Sequence, residues 1–457
     1  MPIIRQDNLF DMHELFEMHE LFEMEPIHRF NAIFSTLELG PLLRVFDKKT
    51  HRGAPRELNY GAMIYSLIAR VVERIPTIKH LVKRLKQDPF FRFDCGFLLS
   101  DDVPSESSYS RMITAISETD ALAKIHDVLV AQAIQEGYIT EESLAIDATH
   151  FEARDKPTAS EKKEKPAPKK PGRKPKDEQA AWQAAKQKLE DEKTLYEKEI
   201  VHQLDASVEA LVNEMSIAPK WGIKKNSDGK NMYWFGHKAH LAVSTNSQYI
   251  IRGLMSSGSL NDGKAVIPLL KQIQQTMPGL FQAGIMDKGY DYKPIYRQLQ
   301  EMNLHAVIGY NPRREVEVVG FDKHFTPTCV LEQSYRYDSY NDKYETLKYS
   351  RSKECATCPL KDDSLCQKMF KIKRSVDLGK YTSPARDSVK WSLYYKQRGA
   401  VERVNAYLKE YFDLNNVRHR TGKKVKIHFQ FVTLVYNATR LASDRLKAAK
   451  NVALAAA

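Results

Sequence analysis

The pattern of apolar and polar positions divides the chain into a helical first part and a mixed second part. Between about residues 28 and 136, apolar residues recur at helical spacing, as in ELNYGAMIYSLIARVVERI. The segment 143–153, SLAIDATHFEA, instead alternates apolar and polar residues, which predicts a half-buried strand. Asp147 lies within this strand, where a carboxylate is unfavourable unless another group pairs with it.

The rest of the second part predicts alternating strands and helices. The predicted strands are 234–245, 249–257, 284–287 and 305–310, and the predicted helices are 178–214, 263–277, about 294–302, and the chain from about 393 onward. Asp262 is expected to be the N-cap of the helix 263–277. The predicted order is one strand, a long insertion, two strands and then two helix–strand pairs. This order predicts an α/β core.

Two segments interrupt this core. Between 154 and 176 there are ten Lys and Arg, three acids and five prolines, so this segment cannot pack a core. Its sequence KKPGRKPK resembles an AT-hook, which would insert Arg173 and Lys174 into a minor groove of DNA. A flexible, solvated linker is the alternative. The second interruption, 311–390, is rich in Tyr and Cys.

A six-residue unit is repeated three times over 9–26, with a period that matches no amphipathic helix. The boundaries predict six segments: an acidic low-complexity repeat at 1–27; a helical, DNA-binding domain at 28–140; core strands at 141–153 and 234–310; a basic linker and helical insertion at 154–233; a Cys-containing insertion at 311–390; and C-terminal helices that complete the core at 391–457.

The DNA-binding interpretation of 28–140 rests on DDVPSESSYSRMITAI. Here Pro104 and Ser105 precede a predicted helix that carries Arg111, as in a helix-turn-helix reader of DNA. A plain helical bundle is the alternative.

Composition narrows the function. The net charge of +12, with a pI of about 9.1, favours a polyanionic partner. No apolar run approaches the ~20 residues that span a bilayer, and the N-terminal residues turn acidic too early for a secretory signal. We therefore expect a soluble, cytoplasmic protein with no membrane partner.

Three of the five cysteines are bunched as Cys355, Cys358 and Cys366, with Cys329 upstream. Four thiolates are a ligand set for a structural zinc ion. Free cysteines are the alternative, and Cys95 is expected to be an ordinary core residue.

The most specific pattern lies in YYKQRGAVERVNAYLKEYF. Tyr395, Arg398, Glu402 and Lys409 would fall within about 60° of arc on one continuous helix. The alternative is a solvated surface with a Glu–Lys pair, although seven residues separate Glu402 from Lys409.

These four residues resemble the YREK signature of DDE transposases from bacterial insertion sequences. AIDATH, IMDKGYD and FGHKAH also resemble the family's two aspartate strands and its Gly-x-Lys-x-His strand, in the same order. The resemblance covers most of the chain. It implies an RNase H-like α/β core, preceded by an all-helical domain and broken by two insertions.

The resemblance also implies a site and a reaction. The catalytic acids would be Asp147, Asp287 and Glu402, holding two Mg²⁺ (or Mn²⁺) ions about 4 Å apart. Water would cut at the transposon end, and the freed 3′-hydroxyl would attack target DNA. Two protomers would act as a homodimer on double-stranded DNA at the bacterial nucleoid.

Further residues have assigned or competing roles. Tyr395, Arg398 and Lys409 would grip phosphates, and Lys238 and His240, on one strand face, would approach the DNA or the metals. A hydrogen-bonded structural histidine is the alternative for His240. Asp262 is the rival of Asp287.

Two other acids receive structural interpretations. Asp291 is interpreted as a turn or cap residue, and Glu410 points about 80° away from Glu402. The segment 418–426, with five Lys and Arg, is interpreted as a loop that contacts phosphate or is simply solvated. A catalytically silent DNA-binding protein and a nuclease that cuts without joining are the alternative functions.

Overall fold

The computed structural model describes residues 18, 20–47, 58–140, 142–157, 176–225, 228–313, 318–363 and 366–456. Arg173 and Lys174 of the predicted AT-hook lie outside the described residues, as does most of the N-terminal repeat. In the described part of the repeat, Met18 and Leu21 are buried in the main core. This end of the repeat therefore has a packing role that its period did not predict.

The first part of the chain is helical, as predicted. Ser105 caps its helix as expected, because its Oγ accepts a hydrogen bond from the Ser108 amide at 3.2 Å. The Arg111 side chain on the same helix is exposed. The helices are α1 (Pro26–Phe34), α2 (Gly40–Arg44), α3 (Tyr60–Val72), α4 (Ile78–Gln87), α5 (Pro89–Asp94), α6 (Glu106–Ser117) and α7 (Ala121–Gln135).

The second part is built on a six-stranded mixed sheet. Its strands are β1 (Glu142–Glu152), β2 (Lys220–Lys225), β3 (Asn231–Ser244), β4 (Ile250–Ser257), β5 (Phe281–Met286) and β6 (His305–Ile308). The order is β2-β3-β1-β5-β6, with β4 also paired to β3. The central strand β1 is antiparallel to β3 and parallel to β5. The α/β fold class is thus confirmed.

The second part also contains helices, of which the last five pack on the sheet. They are α8 (Lys176–Asp191), α9 (Val208–Glu214), α10 (Gly263–Thr276), α11 (Lys293–Glu301), α12 (Val389–Lys396), α13 (Gly399–Glu410) and α14 (Gly422–Ala456). The long helix α14 packs on α7, α6 and β4, so the N-terminal helices and the sheet share one hydrophobic core. Among the described helices, none is long and apolar enough to cross a membrane.

The single charged helix expected over 178–214 was wrong. The chain forms α8, then a 3-10 turn at Ile200–Gln203, then α9. Tyr196 turns inward, and its hydroxyl donates to the Leu211 carbonyl at 2.6 Å. Lys264 donates to the carbonyls of Tyr196 and Lys198. Tertiary contacts therefore take the backbone groups that a continuous helix would use. Strand β2, which follows, was not predicted.

The Cys-containing insertion holds a second, three-stranded antiparallel sheet. Its strands are β7 (Arg336–Asn341), β8 (Thr346–Ser350) and β9 (Met369–Lys373). Tyr335, Leu347, Tyr349 and Tyr381 form a small separate core beneath it. The tyrosines that marked this segment as an interruption are thus the apolar residues that fold it.

A buried histidine joins α7 to α14. The Asn437 amide is fixed by two hydrogen bonds to the Ile250 backbone, and its NH₂ group points at His126 Nε2, 3.1 Å away. His126 Nε2 must therefore accept, so the ring is neutral. Burial lowers the pKa of His126 to about 3, and the nearby Arg252 lowers it further.

We predict that His126→Leu reduces the acid sensitivity of the fold. The folded pKa lies below the ~6.5 of a free histidine, so the unfolded chain takes up the proton first. The stability from neutral His126 is complete above pH 6.5 and is lost as the pH falls towards 3. Unfolding of wild type and variant at pH 7 and pH 5 should show a smaller loss for the variant, by roughly 2 kcal/mol at ~1.4 kcal/mol per pH unit. The exposed His324→Leu is the control, and equal losses in all three proteins would contradict the prediction.

Candidate active site

Asp147 lies on the central strand, partly buried between two neighbouring strands. Its backbone pairs with Leu241 of β3, and the preceding Ala145 pairs with Ile285 of β5. The pKa of Asp147 is raised to about 6, chiefly by burial, and a hydrogen bond from the Ala148 amide opposes this shift. The charges of Asp287 and Asp262 contribute to the raised pKa, whereas Arg398 opposes it. The acid expected to need a partner is thus surrounded by other ionisable groups.

Asp287 follows the end of β5 directly. Its Oδ1 accepts a hydrogen bond from the Gly289 amide at 2.7 Å, which fixes the carboxylate at the start of a short 3-10 turn. A Cβ atom on residue 289 would lie 2.9 Å from this oxygen. Glycine therefore allows the backbone to close on the carboxylate.

Tyr290 is a buried residue whose hydroxyl interacts with the acids of the site. The side chain is 3% exposed, and its hydroxyl donates to Asp147 Oδ1 at 3.5 Å. Burial raises the pKa of Tyr290 well above its usual value, and the charges of Asp147, Asp262 and Asp287 raise it further. The neutral hydroxyl thus donates to Asp147 in a region of negative charge. Tyr290 belongs to the motif IMDKGYD but was not predicted as a site residue.

The continuous helix expected to carry Tyr395, Arg398, Glu402 and Lys409 was wrong. Helix α12 ends at Lys396 and α13 begins at Gly399, with Arg398 at its N-cap. The two helices pack on different surfaces, because α12 covers the pair β5 and β6 whereas α13 covers β1 and β3. The chain therefore bends at 397–398, and the angular relation calculated for one helix does not apply.

Arg398 forms an ion pair with Glu402 and influences the pKa of Asp147. Its Nη1 lies 2.7 Å from Glu402 Oε1. Burial lowers the pKa of Arg398, but Glu402, Tyr395 and Asp147 together raise it above its usual value. The Glu402 side chain is 50% exposed, so it remains accessible from outside. Arg398 thus contacts Glu402, and its positive charge lowers the pKa of Asp147.

Tyr395 packs on the sheet beside this pair. Its ring stacks on Trp391 at a centroid distance of 4.7 Å and contacts the small cluster of Ala283, Ile285 and Val307. A Cβ atom on Gly309 would lie 3.1 Å from the Tyr395 hydroxyl. Much of this side chain is therefore used for packing.

Lys409 lies at the other end of α13. Burial lowers its pKa, Lys224 lowers it further, and Asp147 raises it. His150, three residues after Asp147, has a pKa lowered to about 4 by burial and by Lys409, Lys224 and Lys238. Several cations therefore surround the end of β1 beyond the carboxylates.

Asp262 does not cap α10 with its side chain. It occupies the N-cap position, but its Oδ1 accepts a hydrogen bond from Lys238 Nζ at 2.7 Å. The Asn261 side chain instead accepts from the Gly263 amide. Capping by Asp262 was therefore wrong. Its charge is offset by Lys238, which also donates to the Leu260 carbonyl.

His240 is buried, with 2% exposure, and its Nε2 lies 2.8 Å from Ser256 Oγ. Burial lowers its pKa to about 4. This environment supports the structural alternative for His240. Asp291 is also structural, as expected, because its two oxygens accept from the Tyr296 hydroxyl and the Asn311 amide.

The basic segment 418–426 is only partly a loop, because α14 begins at Gly422. Lys423 pairs with Glu118 at 2.8 Å, and burial lowers the pKa of Lys426. Some of its charge is thus used within the fold.

The four cysteines of the insertion line one cavity of about 250 Å³. The pKa of the nearby Tyr335 is raised, chiefly by burial. Electrostatic interactions with Cys366, Cys329 and Cys355 also raise it. Cys95 is fully buried in the main core, as expected. Among the described residues, however, no group of three or more His, Cys, Asp or Glu side chains is arranged to hold a metal ion.

The donor chemistry of the acid site nevertheless fits a divalent ion. Asp147 and Asp287 are oxygen donors near each other, and the charged form of Asp147 is disfavoured without a cation. Glu402, the acid on α13, is paired with Arg398.

Two family models match the chain. Residues 140–438, more than half of its length, match the one described as "Transposase DDE domain", and residues 18–115 match "Transposase domain (DUF772)". No curated protein matches. The first match contains Asp147, Asp262, Asp287 and Glu402 together with Lys238, Arg398 and Lys409.

Proposed function

The chain belongs to the family of transposases with a DDE domain, and we propose that Asp147, Asp287 and Glu402 are its catalytic acids. It is a DNA transposase, an enzyme with an RNase H-like core. The observation that carries the assignment is the position of Asp147 in the central strand, where the Tyr290 hydroxyl donates to it, with Asp287 directly after the adjacent strand. Arg398 pairs with Glu402 and also lowers the pKa of Asp147.

Family members generally use divalent metal ions, and the cofactors proposed here are two Mg²⁺ or Mn²⁺ ions. Asp147, Asp287 and Glu402 would hold them. Bound ions would activate the attacking oxygen and neutralise charge on the leaving oxygen. The unfavourable burial of negative charge at Asp147 supports cation binding.

The proposed reaction has two transfers at phosphorus. Water oxygen forms a bond to phosphorus at the transposon end, and the 3′-oxygen leaves as a hydroxyl. That 3′-oxygen then attacks a target phosphodiester and displaces the target 3′-oxygen. During both steps Tyr290 holds the Asp147 carboxylate, and the Gly289 amide holds Asp287.

Tyr395, Arg398 and Lys409 are proposed to contact the transposon end. Arg398 and Lys409 supply positive charge beside the acids, which suits phosphate oxygens. Lys238, Arg173 and Lys174 are proposed as further contacts. Lys238 is paired with Asp262, so part of its effect on the DNA would be exerted through that acid. His240 would affect DNA binding indirectly, by fixing the position of its strand.

Two protomers are proposed to pair on two transposon ends, with α6 and Arg111 reading the end sequence. The cysteine cavity is proposed to bind one structural zinc ion through Cys329, Cys355, Cys358 and Cys366. Their shared cavity and their chemistry support this, because thiolates are preferred zinc ligands.

We predict that Asp147→Asn, Asp287→Asn and Glu402→Gln each lower the rate of end cleavage by roughly 10³-fold or more, since each would remove a ligand of the ions that stabilise the transition state. DNA affinity should persist. The measurement is cleavage and strand transfer on end-containing DNA with Mg²⁺, with binding followed separately. Wild-type cleavage without joining would indicate a nuclease, and binding without cleavage would indicate a silent DNA-binding protein.

Asp262→Asn is the matched comparison, because Asp262 also lies near Asp147 but is paired with Lys238. We predict that this variant keeps cleavage to within about ten-fold of wild type, as a residue outside the metal ligands would. If it loses as much activity as Asp287→Asn, Asp262 belongs to the catalytic set.

We predict one zinc ion per chain in the purified protein, measured by elemental analysis. Cys355→Ser with Cys358→Ser should abolish it, since two of four ligands are lost. Cys95→Ala, outside the cavity, should retain it. Absence of zinc from wild type purified with added zinc would refute the proposed zinc site.

A further inference from the structure

Strand β2 and the first half of β3 form a ribbon, defined here as 220–225 and 228–236, that extends beyond β1. Strand β1 pairs with β3 only from Gly236 onward, and the Ala153 amide donates to the Phe235 carbonyl, so residues 231–234 pair only with β2 among the described strands. The sequence of 220–236 has four lysines and one aspartate. The ribbon is therefore a basic edge of the sheet, next to the strand that carries Asp147.

One face of the ribbon presents large apolar side chains to solvent. In the register, Trp221 lies opposite Phe235 and Ile223 opposite Tyr233, which places the four on one face. Trp221, Ile223 and Tyr233 are 54%, 59% and 61% exposed. Exposed apolar groups beside lysines are typical of an interaction surface, since lysine alone would suffice to protect a sheet edge.

The other face fastens the ribbon to the active-site strand. Gly222 lies opposite Trp234, and a Cβ atom on residue 222 would lie 2.2 Å from the Trp234 ring. This indole also contacts His150, with ring centroids 4.5 Å apart. Gly236 and Gly258 allow equally close backbone approaches, with added Cβ atoms 2.3 Å from the Phe151 carbonyl and 2.6 Å from the Lys220 carbonyl. The ribbon is thus held at a fixed position relative to β1.

The charge of the ribbon continues that of the active site. Lys224 lies on the face that carries Trp234, and its charge lowers the pKa values of Lys409 and His150, although burial is the larger cause in each. The cations therefore extend from the end of α13 to the ribbon. A polyanion that leaves the acid site in this direction would meet Lys224 and then Lys225.

We propose that the ribbon binds duplex DNA beside the cleavage site, with Lys224 and Lys225 on phosphates and Trp221 and Tyr233 in a groove. A two-stranded ribbon fits the major groove of DNA. This inference rests on the proposed function, because it assumes that DNA occupies the acid site. It adds a contact surface that lies outside the acids and outside the YREK residues.

The test uses the full chain and duplex DNA that contains a transposon end. Trp221→Ala with Tyr233→Ala should weaken binding by about ten-fold, as expected for loss of aromatic contacts. Lys224→Ala with Lys225→Ala should weaken binding and reduce the slope of log K against log salt by roughly two, about one for each phosphate contact. Trp221→Phe should keep the affinity but lose part of the tryptophan quenching that DNA causes.

Tyr344→Ala with Lys343→Ala is the matched control, since Tyr344 is 63% exposed beside a lysine near β7 and β8. It should bind as wild type does. Ribbon variants that match this control in affinity and salt slope would overturn the inference and leave the proposed function intact. Ribbon variants that change only the oligomeric state, measured by light scattering, would also overturn it in favour of a protein interface. Failure of wild type to bind or cleave would instead overturn the proposed function itself.

Discussion

The structure depends on keeping one carboxylate, that of Asp147, inside the central strand of the sheet. Strand β1 has a hydrogen-bonded neighbour on each side, so Asp147 cannot move into solvent without breaking the sheet. Its charge is disfavoured by burial and by two neighbouring acids. Few groups interact favourably with this carboxylate: the Ala148 amide, the Tyr290 hydroxyl and the nearby Arg398. A site organised in this way is prepared for a cation.

The sequence predicted the elements that carry the site better than their connections. The alternating pattern predicted the strand that carries Asp147, and the strands around it were located to within a few residues. The helix of the third acid was predicted as continuous, because angular periodicity describes only one straight helix. It cannot reveal that Tyr395 packs on β5 and β6 while the next turn packs on β1 and β3. That break is decided by tertiary packing.

The segments that were missed share a physical cause. The second sheet is stabilised by tyrosines, and β2 has three lysines and a glycine among its six residues, so neither has the aliphatic pattern that identifies a core strand. Asp262 was assigned to a cap because its position before a helix is a local signal. Lys238, 24 residues away in sequence, competes for the same oxygen. Tyr290 was overlooked because a tyrosine beside an aspartate has no spacing that marks it as a hydrogen-bond donor to Asp147.

Charge is arranged in order across the site, and the order has a structural cause. The acids lie at the middle of β1 and the end of β5, whereas Lys409 and Lys224 lie towards the end of β1, beside His150. Because β3 is longer than β1, its free half and β2 extend past the acids and carry lysines with them. The glycines at 222, 236 and 258 are required for the backbones to meet at this junction. The unequal length of two paired strands therefore places a basic extension of the sheet beside the acids.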